Sequence, residues 1–264
     1  MQKWQCRISP TLGGGFAGTP NDVWGTRDYE NDQDPTVFMG VYGLPDFYAL
    51  WRHKGIKEVF WCGSDIRHFI KGYWLEDEGR VKLSRTAMFD LAHWMDRNCG
   101  HWVENQLERE ALKDFGVTAR IAPSFLGNVD NFPVQKIKYP NRYYSSVSGN
   151  DFEVYGWEKV NLIAEQNPKN KYYLYGNTVP WEAPKNVVVR GRLSQQDMDK
   201  EIKEMAGAIR MTKFEGFSEI VAKSVLWGQK PISLIEYPFL KAENPREELL
   251  KVLNKYPWVS TTKS

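Results

Sequence analysis

Along the chain, short apolar runs that read as strands alternate with segments of helical period. Residues 36–42 predict a buried strand. Pro45 suits a first helical position, and Phe47, Leu50 and Trp51 share one face of a helix that ends near Gly55. Residues 57–62 predict a second strand, closed by Gly63, Ser64 and Asp65. The pattern is less regular over 66–100, with a helix at 85–97, and 101–103 predict a strand. Asn105 and Glu108 have the spacing of a capping box. Leu107, Ala111, Leu112 and Phe115 then give a helix that Gly116 stops, and 117–123 return as a strand.

Residues 126–141, rich in Gly, Asn, Asp and Pro, read as a linker between domains at 1–130 and 140–264. Beyond it, strands are expected at 142–147, 171–175, 186–190, 206–211 and 231–235. Helices are expected at 153–165, 195–205, 218–227 and 245–254, the last capped by Asn244 and placed to pack back on the N-terminal domain. This alternation predicts an α/β protein of two Rossmann-like doubly wound domains facing a cleft. Ligands in such sheets bind beyond the C-terminal strand ends, which would place 63–65 and 214–218 at the crevice.

Composition narrows the function classes. The net charge over 264 residues is +2, and no Lys/Arg run resembles a nucleic-acid arm. Eleven Trp and thirteen Tyr suit a core first and stacking on sugars or bases second. Cys6, Cys62 and Cys99 are odd in number and widely spaced, which fits a reducing compartment. The N-terminus lacks an apolar leader, and no apolar run is long enough to span a bilayer. The expectation is a cytoplasmic protein, with peripheral membrane contact left open.

Residues 210–232 carry the most chemistry. Ser218 stands as an N-cap, Glu219 lies in the first helical turn, and Gly228 followed by Pro231 ends the helix. A helix N-terminus after a loop containing Gly216 suits a phosphate, although an ordinary capped helix has the same features. Arg210, Lys213 and Lys223 are candidate cations, and Phe217 and Ser218 offer N–H groups. Upstream, Gly14 and Gly15 lie in a glycine cluster after a possible strand at 4–8, which reads equally as a phosphate loop or a turn. Asp32 and Asp34 read as surface, and His93, Cys99 and His101 match no standard zinc spacing.

These pieces resemble GT-B glycosyltransferases, particularly the retaining kind with an E-x7-E motif (glycosyltransferase family 4-like, glycosyl transferases group 1). Glu215-Gly216-Phe217 with Ile220-Val221, Gly228 and Pro231-Ile232 is similar to the family's donor-binding loop and helix. Phe60-Trp-Cys-Gly-Ser-Asp65 is similar to the strand that ends in His-Gly-x-Asp. Asn186-Val-Val-Val-Arg-Gly191 looks like the strand before the donor site. The likeness spreads over roughly 36–235 and departs at three places. Lys223 occupies the second Glu of the motif, which in the family holds the ribose hydroxyls. Cys62 occupies the N-domain His, and 149–155 lack the family's diphosphate-binding Arg and Lys.

The resemblance implies transfer of a sugar from a nucleotide-activated donor, the donor being substrate rather than cofactor. It implies retention and no essential metal. Glu215 and Asp65 are the implied catalytic residues. Gly14, Gly15, Arg210, Lys213, Gly216, Phe217, Ser218, Glu219 and Lys223 are the implied donor-binding set. The acceptor, whether saccharide, lipid, protein or nucleobase, has no readable signature. A catalytically inactive GT-B-like binding protein and a nucleotide-sugar epimerase of similar architecture are the alternatives.

Overall fold

A computed structural model of the chain describes residues 3–12, 19–76, 79–147, 152–176, 183–212 and 215–259. Two compact units emerge: Met1–Gly127 with Val252–Ser264, and Asn128–Lys251.

In the first unit the elements run β1 (Gln5–Ile8), α1 (Thr19–Trp24), β2 (Arg27–Asp28), β3 (Thr36–Met39), α2 (Leu44–Arg52), β4 (Lys57–Phe60) and α3 (Ser64–Ile70). They continue with β5 (Tyr73–Glu76), β6 (Gly79–Lys82), α4 (Arg85–Asn98), β7 (Gly100–Val103), α5 (Gln106–Lys113) and β8 (Arg120–Ile121). Six strands form one sheet in the order β2-β1-β3-β4-β7-β8, and every pair is parallel. β3 is buried along its whole length, as expected of a parallel strand covered on both faces. Its alternation divides the core. Phe38 faces Leu50, Phe69, Ala92 and Leu112, whereas Val37 and Met39 face Trp24, Tyr256 and Trp258.

The second unit runs β9 (Tyr139–Val147), α6 (Trp157–Gln166), β10 (Lys171–Gly176), β11 (Val187–Gly191), α7 (Gln195–Ile202) and β12 (Met205–Arg210). It ends with α8 (Glu219–Leu226), β13 (Ile232–Ser233) and α9 (Pro245–Val252). Its sheet, β11-β10-β9-β12-β13, is also all-parallel. Gly176 closes β10 with φ +95°, where a Cβ would lie 1.9 Å from Val147 O, so only glycine fits. Arg246 ties α9 to α8 through Leu226 O. The segment after α9 belongs to the first unit, where Tyr256 and Trp258 stack at 4.6 Å.

Several sequence expectations need correction. The strand expected over 117–123 is only Arg120–Ile121, because the Thr118 N–H is taken by Asp96 Oδ1. The irregular region 66–100 holds most of α3 and an antiparallel hairpin, β5–β6. The stretch read as linker overlaps β9, which already begins at Tyr139. The expected capping box does form: Asn105 Oδ1 accepts from Glu108 N, and the Glu108 carboxylate accepts from Asn105 N as well as from Glu104 N.

Candidate functional site at the sheet switch points

In the second unit the strand order reverses between β9 and β12, and in doubly wound sheets the crevice beyond such a reversal is the ligand position. Arg210 is the last residue of β12, at that edge. Its guanidinium is 4% exposed and fully engaged. Nε and Nη2 donate to the two carboxylate oxygens of Glu215 at 2.8 and 2.6 Å, and Nη1 donates to Ser146 O of β9. The Tyr155 ring lies beneath it at 4.4 Å. Gly156 brings the start of α6 close by: at φ +69°, a Cβ there would lie 2.1 Å from Met211 O.

The loop from Glu215 into α8 is braced by Tyr237. Its hydroxyl accepts from Ser218 N at 3.2 Å and donates to Gly216 O at 3.0 Å. Its ring packs edge-on against Phe217. Ser218 occupies the N-cap position of α8, but its side chain makes no capping hydrogen bond. This corrects the expected cap. Oγ is buried and has no partner among the described residues. The Ser218 N–H, expected to face a phosphate, is committed to Tyr237. Glu219 lies exposed in the first turn, where a carboxylate complements the helix dipole.

Lys223 is not an open cation. It is 6% exposed, donates to Asp199 of α7 at 3.2 Å and lies 5.6 Å over the Phe132 ring. Burial pushes the Asp199 carboxyl up while Lys223 pulls it down. Lys213, Gly14 and Gly15 lie outside the described residues.

In the first unit the reversal falls between β1 and β3. Beyond those strand ends, Asp46 accepts from Arg7 Nη1 and Ser9 Oγ at 2.7 Å and from Tyr42 N at 2.9 Å. Asp65 is fully buried. It accepts from Val41 N at 3.1 Å and from Cys62 N and Ile66 N at 2.9 Å. It therefore joins the ends of β3 and β4 to the first turn of α3. Burial pushes its carboxyl up to about 7, outweighing the backbone N–H donors that pull it down. The same burial holds the neighbouring Cys62 thiol well above its usual range, so it stays protonated. Among the described residues, no three His, Cys, Asp or Glu side chains are placed to hold a metal ion.

The structure thus brings Arg210, Glu215, Gly216, Phe217 and Ser218 together at one edge. Lys223 turns aside into its pair with Asp199, and Asp65 belongs to the other unit. Tyr155, Asp199 and Tyr237 take part without having been read from the sequence. Tyr155 closes the very stretch noted for lacking cations, and only its position beside Arg210 reveals it.

No family model matches the chain, and no curated protein sequence does. Solved structures do. A point mutant of S. aureus TarM, crystallised with fondaparinux, alpha-GlcNAc-glycerol and UDP, is 14% identical with a TM-score of 0.53. The match covers 84% of this chain and 49% of that one. A second TarM structure is 12% identical with a TM-score of 0.51, covering 84% and 48%. The chain therefore spans about half the length of these matches. The likeness establishes the fold: α/β with parallel sheets of the GT-B kind. No helix among the described residues is long and apolar enough to cross a membrane.

Proposed function

We propose that this chain transfers a sugar from a nucleotide-activated donor to an acceptor, with retention and without an essential metal. The observation that carries the reading is Arg210 at the β9/β12 reversal, held against Glu215 at the foot of α8. An anion there meets the guanidinium and the first-turn N–H groups of Ile220 and Val221, which helix geometry leaves without partners inside the helix. That arrangement supplies the electrostatic stabilisation a departing diphosphate needs. Glu215 is assigned to the donor sugar, switching from Arg210 to the sugar as the diphosphate takes up the guanidinium. Asp65 is assigned a positioning role, since its oxygens are occupied by backbone donors. Donor recognition differs from the family pattern at the ribose, because Lys223 offers no acceptor and is already paired.

A second reading has its own support. Glu215 and Lys223 are both neutralised by partners, and the Ser218 N–H is taken, as suits a GT-B-like binding protein without turnover. UDP and UDP-sugars are the first probes, because the TarM structure contains UDP. Thermal shift with a panel of nucleotide diphosphates and their sugars, followed by donor hydrolysis assays, tests both readings. Binding with hydrolysis supports transfer, and binding without hydrolysis or transfer supports the second reading. Failure of every nucleotide to bind overturns both.

A further inference from the structure

The loop from Glu215 to Ser218 is held at both ends, and both anchors lead back to Arg210. At its start, the Glu215 carboxylate takes the guanidinium through two hydrogen bonds. At its end, the Tyr237 hydroxyl accepts from Ser218 N at 3.2 Å and donates to Gly216 O at 3.0 Å, so a single oxygen spans Phe217. The segment that carries Tyr237 is tied to β12: Leu234 N donates to Arg210 O at 3.0 Å. Tyr237 N then donates to Ile235 O at 3.1 Å, and Tyr237 O accepts from Leu240 N at 3.0 Å. The side chain is 2% exposed, stacked on Phe239 at 5.3 Å and 12° and edge-on to Phe217 at 5.6 Å. Close packing on face and edge fixes the ring, and with it the hydroxyl.

We propose that Tyr237 is the positioning residue that keeps this loop in register during sugar transfer, an inference that rests on the transfer reading above. In that reading the diphosphate takes up the Arg210 guanidinium and releases Glu215. The first anchor is then gone, and Gly216 gives the loop backbone freedom to shift. The Tyr237 bridge remains, because neither Gly216 O nor Ser218 N is a group assigned to the donor. It keeps the freed carboxylate at the foot of α8, where misplacement by about 1 Å costs on the order of 10²-fold in rate. The diphosphate itself meets Arg210 and the N–H groups of Ile220 and Val221, none of which the hydroxyl touches. The bridge therefore serves turnover and not nucleotide affinity.

Tyr237→Phe tests this, because it keeps the ring and its contacts with Phe239 and Phe217 and deletes only the bridge. Full-length parent and variant are compared with the nucleotide diphosphate and sugar donor that the parent accepts in the panel above, UDP and UDP-glucose being the first pair. Calorimetry reads nucleotide binding, and release of free sugar reads donor hydrolysis at saturation. The variant is expected to bind the nucleotide within about threefold of the parent and to hydrolyse the donor about tenfold or more slowly. A role confined to folding would weaken binding and hydrolysis together, so parallel losses overturn the proposal. Hydrolysis at the parent rate overturns it as well. In both cases the active parent leaves the transfer reading standing. A parent that hydrolyses no donor of the panel removes that reading, and the proposal with it.

Discussion

Arg210 grips Glu215 through two charge-assisted hydrogen bonds of 2.8 and 2.6 Å, and the guanidinium is nearly buried while the carboxylate is 22% exposed. Removing the carboxylate leaves a desolvated cation, so Glu215→Ala is expected to destabilise the second unit by roughly 2–4 kcal/mol as well as abolish transfer. Glu215→Gln keeps the shape and one acceptor, and should unfold within about 1–2 kcal/mol of the parent while still losing transfer. Urea unfolding beside a donor-transfer assay separates the two effects. Transfer by Glu215→Gln at the parent rate would remove Glu215 from the chemistry.

Lys223 and Asp199 join α8 to α7 as a largely buried ion pair. Breaking such a pair from one side strands the other charge, whereas replacing both with apolar groups is often nearly neutral. Lys223→Met alone is therefore expected to cost about 2–4 kcal/mol, and Lys223→Met with Asp199→Leu appreciably less. Lys223→Glu, which completes the spacing of the E-x7-E motif, places two carboxylates together and should destabilise most. A double-mutant cycle read by chemical denaturation checks the coupling. Additive costs for the two apolar substitutions would show that the pair does not act as a unit.

These pairings mark where the sequence stops being readable. The strands at Thr36–Met39 and Lys57–Phe60 are legible because strands covered on both faces leave continuous apolar runs. α5 and α8 are legible from their spacing and from their stops, Gly116 and Gly228, which adopt φ +83° and +79°. Arg210 and Glu215 are five residues apart across a loop, a separation with no fixed geometry, so each reads alone as a ligand group. Asp199 and Lys223 meet only because two helices pack on one sheet face. Ser218 has the right residue type for a cap, yet Tyr237, nineteen positions downstream, claims its backbone N–H.

Asp65 makes stability depend on pH in a stated direction. In the unfolded chain its carboxyl ionises near its ordinary 3.8, and in the folded protein burial raises this to about 7. Between those values the unfolded state binds fewer protons than the folded one, so stability falls as pH rises from about 4 to about 7 and levels off above. Glu108, pushed up by its own burial with the Asp65 charge nearby, acts in the same direction. Urea midpoints followed by tryptophan fluorescence at pH 5 and pH 8 are expected to be higher at pH 5. Asp65→Asn cannot ionise and should show a shallower pH dependence. An unchanged slope in that variant would show that Asp65 is ionised in the folded state.

Asn254 fastens the C-terminal segment to the first unit. Its backbone takes φ 53°, a left-handed conformation that Asn tolerates better than most side chains. From there its N–H donates to Pro123 O at 3.1 Å, Oδ1 accepts from Phe125 N at 3.1 Å, and Nδ2 donates to Phe125 O at 3.0 Å. That clamp sets the register in which Tyr256 and Trp258 reach the cluster of Trp24, Phe60 and Trp102. Asn254→Ala loses two hydrogen bonds and adds left-handed strain, an expected cost of roughly 2–4 kcal/mol. Asn254→Gly loses the same bonds without the strain and should fall about 1–2 kcal/mol short of that. If the Gly variant proves as unstable as the Ala variant, strain contributes nothing and the side-chain bonds alone hold the segment. If both match the parent in chemical denaturation, Tyr256 and Trp258 dock without the clamp.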